Sequence, residues 1–425
     1  MLASASFIYA LLLTAPVIYL FTRYDYPLHL RYMLWIGLFI ELATLKISSA
    51  ALLATMIFTA YYFFFTLIIW GTVYYRFILK EPWSTPLRFP RLVLENSDST
   101  SGNFLEQIPK NIFTIILFFS LFETIESKIS PLNTMNYIIA IAGIAVITIV
   151  AHGQFFSKID DSKEPSVKLK NPKEKHPAKH AYVIVIDGCN LDQFNKAKKP
   201  VMENLAKNGT TYRKMKTIYP ARTVVCFSSM LSGLPKEKTG INSNLVLKPH
   251  RLPVKTIFDM LEENNKKGKL IAIAHLLDVF PDNTYSVCSL MPNSTADTTI
   301  FNIAKDIIKK EDPDLLVTQL ISVDQTGHAR GCFTDDYIKA IENVDHLMGD
   351  FIKFLDKNKK LDDSVIIIMA DHGQSKGIGG HGHWDKGEIY VPFIIFGKNI
   401  EKGRTITEEH NILSLTPLIR NALGI

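Results

Sequence analysis

Before about residue 153 the chain is dominated by long apolar runs: "SASFIYALLLTAPVIYLF", "MLWIGLFIELATL", "SSAALLATMIFTAYYFFFTLIIWGTVYY", "NIFTIILFFSLF" and "MNYIIAIAGIAVITIVA". Each approaches or exceeds the roughly 20 apolar residues that cross a bilayer. A helix of a soluble protein keeps a polar face, and these runs do not. They predict a transmembrane domain of about five helices over residues 1–153. The second run is short and carries Glu41, and the fourth ends at Glu123 and Glu126, so four spans also fit. Tyr and Trp gather near several ends, as interfacial anchors do. No small-residue cleavage site precedes the second run, so the first reads as a retained span rather than a signal peptide.

Between the third and fourth runs, "KEPWSTPLRFPRLVLENSDSTSGNFLEQIPKN" is rich in Pro, Ser and Asn and reads as an interfacial loop or short helix. Residues 154–180 are polar and lysine-rich without apolar periodicity, which predicts a basic linker. Part of the net charge of +6 comes from it. With no aromatic residues alternating with the lysines, it reads as a solvated tether near anionic head groups, and a nucleic-acid polymer is not an expected partner.

From residue 181 to 425 the pattern changes to short β-branched runs alternating with amphipathic stretches. "AYVIVIDG", "KLIAIAH", "DLLVTQLIS", "SVIIIMADHG" and "VPFIIFG" read as strands, and "KKPVMENLAKNG", "DTTIFNIAKDIIKK" and "DDYIKAIENVDHLMGDFIKFLDKN" as helices. That alternation predicts an α/β domain with a mostly parallel central sheet and helices on both faces. Ligands of such sheets bind at the carboxyl ends of the strands. Three runs end there in Asp187, Asp324 and the pair Asp371-His372.

Taken singly these residues have plainer explanations. Asp-Gly favours turns, Asp324 in "DQTGH" could cap a helix, and His372 could be a satisfied core histidine. Their recurrence at consecutive strand ends points instead to a metal centre. Carboxylate and imidazole without thiolate pairs suit Zn²⁺ or Mn²⁺. Six or seven such ligands suffice for two divalent ions, which can hold the attacking and leaving oxygens of a phosphoryl transfer. Cys189, Cys226, Cys288 and Cys332 match no zinc-finger spacing, and disulfides are left open. In "IYPARTVVCFSSMLSGLPKEKTGINSN", Thr223 follows a turn and opens a helix-compatible stretch ending at Ser232-Gly233. There it is either a nucleophile beside a helix N-terminus, which favours phosphate, or the cap of that helix.

The order "VIDG", "YPARTVVCFSSMLSGLPKEKTGI", "DQTGHARG", "ADHG" and "GGHGH" resembles the alkaline phosphatase superfamily, specifically its type I phosphodiesterase/nucleotide pyrophosphatase branch, over about residues 180–425. The resemblance implies two metal ions, usually zinc. Asp187, Thr223, Asp371 and His372 would hold one, and Asp324, His328 and a later histidine the other. It also implies that Thr223 is the nucleophile. His381 in "GGHG" is preferred over His383 as the last ligand, with His383 left as a candidate for supporting a ligand or meeting substrate and Asp385 as a cap. Cys226 stands where the resemblance implies an asparagine that contacts phosphate, so it too is a candidate for either of those roles. The sulfatase pattern Cys-x-Pro-x-Arg is absent, since "CFSSM" follows no such order.

The spans ahead of this domain look like the architecture of phosphoethanolamine and phosphoglycerol transferases. They imply a lipid bilayer partner and a phosphate ester or diester substrate, a lipid or glycolipid among the candidates. The expected activity is a membrane-anchored two-metal phosphodiesterase, phosphoryl-group hydrolase or head-group transferase. The alternative is a catalytically inactive membrane metal- or ligand-binding protein of the same fold, against which the complete ligand set speaks. On sidedness the arguments oppose each other. The loops with Arg23 and Arg31 and with Arg76, Lys80, Arg88 and Arg91, together with the linker, share one side and favour the cytoplasm. The architecture favours a cell-membrane protein with its catalytic domain outside, and that is the expectation adopted, because one miscounted span reverses the charge argument.

Overall fold

The computed structural model describes residues 5–23, 28–44, 47–70, 83, 100–127, 139, 142–143, 146, 177–242, 244, 251–287, 293–375, 381–382 and 386–425. Most of the fifth apolar run and of the 154–180 linker lies outside the described residues. The chain divides into two compact units, one drawn from Met1–Pro90 and Ser99–Lys158, the other mainly from Ile159–Ile425.

The first unit contains helices α1 (Ala5–Arg23), α2 (Leu28–Thr44), α3 (Ser49–Phe64) and α4 (Thr100–Glu126), with α3 continuing as a π turn over Phe65–Trp70. Helix α3 begins where the Ser48 hydroxyl accepts the Ala51 N–H at 3.1 Å, an N-cap. Ala10 and Val17 of α1 pack against Leu117 and Leu121 of α4, with Phe7 edge-on to Phe118. Leu12, Tyr19, Phe39, Met56 and Tyr61 turn outward and are exposed. Among the described residues one helix, Gln107–Glu126, is long and apolar enough to cross a membrane, while Ala5–Phe21, Leu34–Ala43 and Ser49–Phe64 are apolar but shorter. Residues 100–110, expected in a loop or short helix, form the first turns of α4 with Pro109 inside it. Lys110 there donates to the Phe21 carbonyl at 2.9 Å, supplying a partner to the end of α1, whose last carbonyls have none within the helix.

The second unit is built on a nine-stranded sheet: β1 (His180–Ile186), β2 (Thr210–Lys216), β3 (Gly268–Ile273), β4 (Thr284–Val287), β5 (Leu315–Leu320), β6 (Ser364–Met369), β7 (Tyr390–Val391), β8 (Phe393–Gly397) and β9 (Arg404–Asn411). The order is β4-β3-β5-β1-β6-β8-β2-β7, with β9 also on β2. From β4 to β6 every pairing is parallel, and in the centre Val183 stands opposite both Val317 and Ile367. Strand β8 runs antiparallel to β6 and β2, so the sheet is mixed beyond β6. Because β1, β5 and β6 are buried on both faces, their sequences are mostly apolar, with Thr318 and Gln319 the buried polar residues of β5.

The longer helices of the unit are α5 (Pro200–Lys207), α6 (Thr223–Ser232), α7 (Ile257–Glu263), α8 (Asn293–Lys310), α9 (Ser322–Arg330), α10 (Asp335–Lys357) and α11 (Leu415–Leu423). In α10, Tyr337, Ile341, Val344, Met348, Phe351 and Leu355 recur at steps of four and three and are buried, the stripe of a helix packed on one face. Phe351 meets Tyr182 of β1 edge-on at 6.0 Å between ring centroids.

One expectation changes. "DQTGH" is not a loop at a strand end: β5 stops at Leu320, and Asp324 and His328 both lie on α9. The cause is Asp297 of α8, a buried side chain whose Oδ1 accepts the N–H groups of Ile321 and Ser322 at 2.8 and 3.2 Å, while its Oδ2 accepts from the Ser322 hydroxyl. It takes N–H groups where β5 gives way to α9, as a cap from another helix. Asp297→Ala should lower unfolding free energy by about 2 kcal/mol in urea titrations of the full chain, because it strands buried donors. An unchanged denaturation midpoint would contradict this role.

Candidate metal centre

The turn after β1 brings Asp187 to the carboxyl edge of the sheet, and the turn after β6 brings Asp371 and His372 beside it. All three are buried. The His372 Nε2 lies 3.5 Å from Asp187 Oδ1, 3.5 Å from Asp371 Oδ2 and 3.3 Å from Thr223 Oγ1. The other ring nitrogen, Nδ1, lies 3.0 Å from the Gly373 carbonyl. A carbonyl only accepts, so in the neutral ring Nδ1 carries the proton and Nε2 offers its lone pair to the cluster.

A second group consists of Asp324, His328 and His381. Asp324 Oδ2 is 3.1 Å from His328 Nε2, the spacing of four along α9 placing both on one face. His381 Nε2 comes within 3.1 Å of His328 Nε2, while His381 Nδ1 lies 2.7 Å from the Ala221 carbonyl. The same tautomer argument aims the lone pair of His381 Nε2 inward. The rings of His372 and His381 stack at 4.0 Å between centroids, so the two groups adjoin.

This donor set fits two divalent cations. In each group the ligand atoms lie within 4.8 Å of one another. Asp187 Oδ1 and Asp371 Oδ2 are buried and accept no hydrogen bond, although each faces the same imidazole nitrogen. Burial, then the neighbouring Asp371 and Asp324, pushes the Asp187 carboxyl well above its ordinary pKa; burial likewise raises Asp371. For Asp324, burial is outweighed by His328, His381 and His372, which hold it far below the usual carboxylate range. Burial, and then His372, presses His381 toward its neutral form. Buried carboxylates that repel one another, beside imidazole nitrogens turned toward the same volume, are what a cation relieves and binds.

Thr223 is the first residue of α6 and not its cap, which is Arg222 in extended conformation. Its hydroxyl therefore stands beside the first group where helix N–H groups are free of intrahelical partners. Cys226, one turn on, is fully buried. Its thiol, raised above its usual pKa first by burial, meets the Thr217 hydroxyl at 3.2 Å, and that hydroxyl donates to the Asp371 carbonyl at 2.5 Å. Cys226 thus sits beneath the site, one link from a ligand, and does not open onto it. Cys189 and Cys332 are also buried, the Cys332 thiol donating to the Ser375 carbonyl at 3.1 Å, and Cys288 lies outside the described residues. His383 and Asp385 lie outside them too.

Several participants carry no local sequence signal. The Asn244 side-chain oxygen accepts the Val224 N–H at 3.0 Å, beside Thr223. Gln319 donates to Asp187, and Gln374 to Asp324. Glu388 Oε2 accepts the N–H of Gly382 at 2.9 Å, fastening the residue after His381. Gly188 is required: its φ of +64° suits glycine, and a Cβ there would stand 2.3 Å from Asp324 Oδ1. Tyr337 of α10 closes the same turn, donating to the Gly188 carbonyl and accepting the Asn190 N–H at 2.9 Å.

Residues 181–383 match the family described as type I phosphodiesterase / nucleotide pyrophosphatase. Among curated proteins, the chain is 27% identical over 174 residues to a phosphopentomutase of Alkaliphilus metalliredigens, covering 40% of each chain. It is also 27% identical over 207 residues to ectonucleotide pyrophosphatase/phosphodiesterase family member 1 of Rattus norvegicus, covering 42% of this chain and 22% of that protein. The matched region therefore spans less than half the length of either relative. Among solved structures, inactive murine ectonucleotide pyrophosphatase / phosphodiesterase 5 in complex with AMP aligns with a TM-score of 0.50 at 15% identity, over 58% of this chain and 95% of that one. That likeness is one of fold, and the second unit has the alkaline phosphatase-like α/β fold.

Replacement of single histidines separates the last ligand from its neighbour. His381→Ala should reduce the divalent metal bound, measured by elemental analysis of the purified chain, and His383→Ala should leave it unchanged. The reverse pattern would make His383 the ligand.

Proposed function

We propose that the chain is a membrane-anchored, two-metal phosphodiesterase or phosphoryl-group transferase that works through Thr223. The observation that carries this reading is the Thr223 hydroxyl at the start of α6, 3.3 Å from His372 Nε2 within a buried cluster of convergent carboxylates and imidazole. The match of residues 181–383 to the phosphodiesterase family supports it. Asp187, Asp371, His372 and Thr223 would hold one cation, and Asp324, His328 and His381 the other, with zinc favoured by the donor set and manganese compatible with it. When bound, the cations would lower the threonine pKa and offset charge developing on the phosphoryl oxygens.

The chain's own groups account for the remaining steps. Thr223 Oγ1 attacks phosphorus in line as the P–O bond to the leaving group breaks, and the proton released by the threonine hydroxyl is balanced by the one the departing alkoxide takes up to leave as an alcohol. The Val224 N–H is held by the Asn244 side-chain oxygen at 3.0 Å, which fixes the opening turn of α6, and the positive end of the helix dipole there would favour the phosphoryl oxygens. The phosphothreonine is then cleaved by water, giving hydrolysis, or by an acceptor alcohol, giving transfer. A domain that had lost catalysis would be expected to lack a ligand, and the expected set is complete.

The membrane part of the reading rests on the apolar runs and on the apolar side chains exposed by α1, α2 and α3. We place the chain as a multi-pass protein of the cell membrane with its catalytic unit extracytoplasmic, and the substrate among lipid-linked phosphate diesters. A reporter fused to the C-terminus tests the side: activity confined to the cytoplasm would overturn it.

Two measurements test the chemistry. Thr223→Ala should reduce phosphodiester turnover by about 10³-fold or more, as loss of a nucleophile does, whereas Thr223→Ser should retain it in part. Unchanged turnover in the alanine variant would end the assignment. With labelled phosphatidylethanolamine, free phosphoethanolamine marks a hydrolase and label on an acceptor lipid a transferase. Neither product would count against lipid head groups as substrates.

A further inference from the structure

We propose that Gln319 and Gln374 are positioning residues that fix which carboxylate oxygen each metal site receives, so that the two sites can be weakened one at a time. This rests on reading the two clusters as metal sites. Each of the three buried carboxylates has one oxygen held by a donor of the chain. Gln319 Nε2 donates to Asp187 Oδ2 at 2.5 Å, Gln374 Nε2 to Asp324 Oδ1 at 2.6 Å, and the Gly188 N–H to Asp371 Oδ1 at 3.3 Å. The opposite oxygens face the imidazoles more closely: Asp187 Oδ1 and Asp371 Oδ2 toward His372, and Asp324 Oδ2 toward His328 at 3.1 Å, against 3.8 Å between Asp324 Oδ1 and His381 Nε2. A carboxylate can present both oxygens to a cation. Holding one with a fixed N–H leaves the other as a single-atom ligand of set direction.

Neither amide is free to turn over. Gln319 Oε1 accepts the Ile273 N–H of β3 at 2.9 Å, so its NH₂ must face Asp187. The NH₂ of Gln374 serves two acceptors of one residue, Asp324 Oδ1 and the Asp324 carbonyl at 3.0 Å. Its Oε1 lies against Gly327, where a Cβ would stand only 1.7 Å away. The glycine just before His328 therefore clears the surface of α9 for Gln374 between the two ligands of that helix. Asn190 Nδ2 in turn holds the Gln374 carbonyl at 2.9 Å. These glutamines hold the ligands and are given no part in bond making.

Partners that hold metal ligands are typically worth 10–100-fold in metal affinity. The full chain in detergent, stripped with chelator, is titrated with Zn²⁺ against a chromogenic competitor. Gln374→Met, similar in length but without a donor, should weaken one of the two zinc sites about 10–100-fold and leave the other unchanged. Gln319→Met should do the converse. In a His328→Ala background the remaining zinc should be insensitive to Gln374→Met and weakened by Gln319→Met, a pattern that general damage to the fold would not produce. Should Gln374→Met fail to fold, Gln374→Asn keeps an amide but withdraws it from Asp324, and the same site should weaken. Equal loss at both sites, or wild-type affinity at both, overturns the proposal. Because the readout is zinc binding, persistence of turnover in Thr223→Ala would remove the catalytic reading and leave this one standing, while a failed zinc pattern with Thr223-dependent turnover would remove this one alone.

Discussion

Three carboxylates buried within one small volume set the central physical constraint on the second unit. Asp187, Asp324 and Asp371 repel one another in surroundings that solvate charge poorly, and burial already raises two of them. Chain donors satisfy only part of this demand, since Asp187 Oδ1 and Asp371 Oδ2 accept no hydrogen bond. Convergence of His328, His372 and His381 on the same volume turns that electrostatic cost into a cation-binding arrangement. The fold holds these groups together with strands and helices that are themselves fully packed, which is where geometry can be kept to a fraction of an ångström.

The apolar centre of the sheet and the polar centre at its edge depend on each other. Parallel pairing of β1 with β5 and β6 brings the turns after β1 and β6 to one edge of the sheet. Tyr337, from a helix whose apolar stripe packs on the sheet, ties the Gly188 turn to that packing. Gly188 then lets Asp324 approach the first group closely enough for both groups to share the His372–His381 stack. A side chain at Gly188 would therefore disturb both groups at once.

Much of this was legible in the sequence for local reasons. Continuous apolar strands mark a buried sheet, and an acid or histidine immediately after such a run marks its functional edge, as at Asp187, Asp371 and His372. Thr223 was legible as an N-terminal helix residue, but its separation from a capping role needed the extended conformation of Arg222. Asp324 was expected at a strand end and lies on a helix, because Asp297, remote in sequence, takes the N–H groups of Ile321 and Ser322 there. Gln319, Gln374 and Asn244 were missed for the same reason: an amide gains its role from a partner brought near by folding, and its own neighbours do not announce it. Strands β2 and β9, with the polar sequences "TTYRKMK" and "RTITEEHN", lack the apolar run that identifies a central strand. Their pairing is set by neighbours in the sheet.

In the proposed reaction, phosphorus passes through a bond to Thr223. Acid quenching of the wild-type chain during turnover of a phosphodiester, followed by peptide mass mapping, tests it most directly. The expected result is one added phosphoryl-bearing group on the peptide containing Thr223, at that residue, disappearing as substrate is exhausted. An active chain whose Thr223 stays unmodified throughout turnover, or whose label falls on another residue, would contradict it.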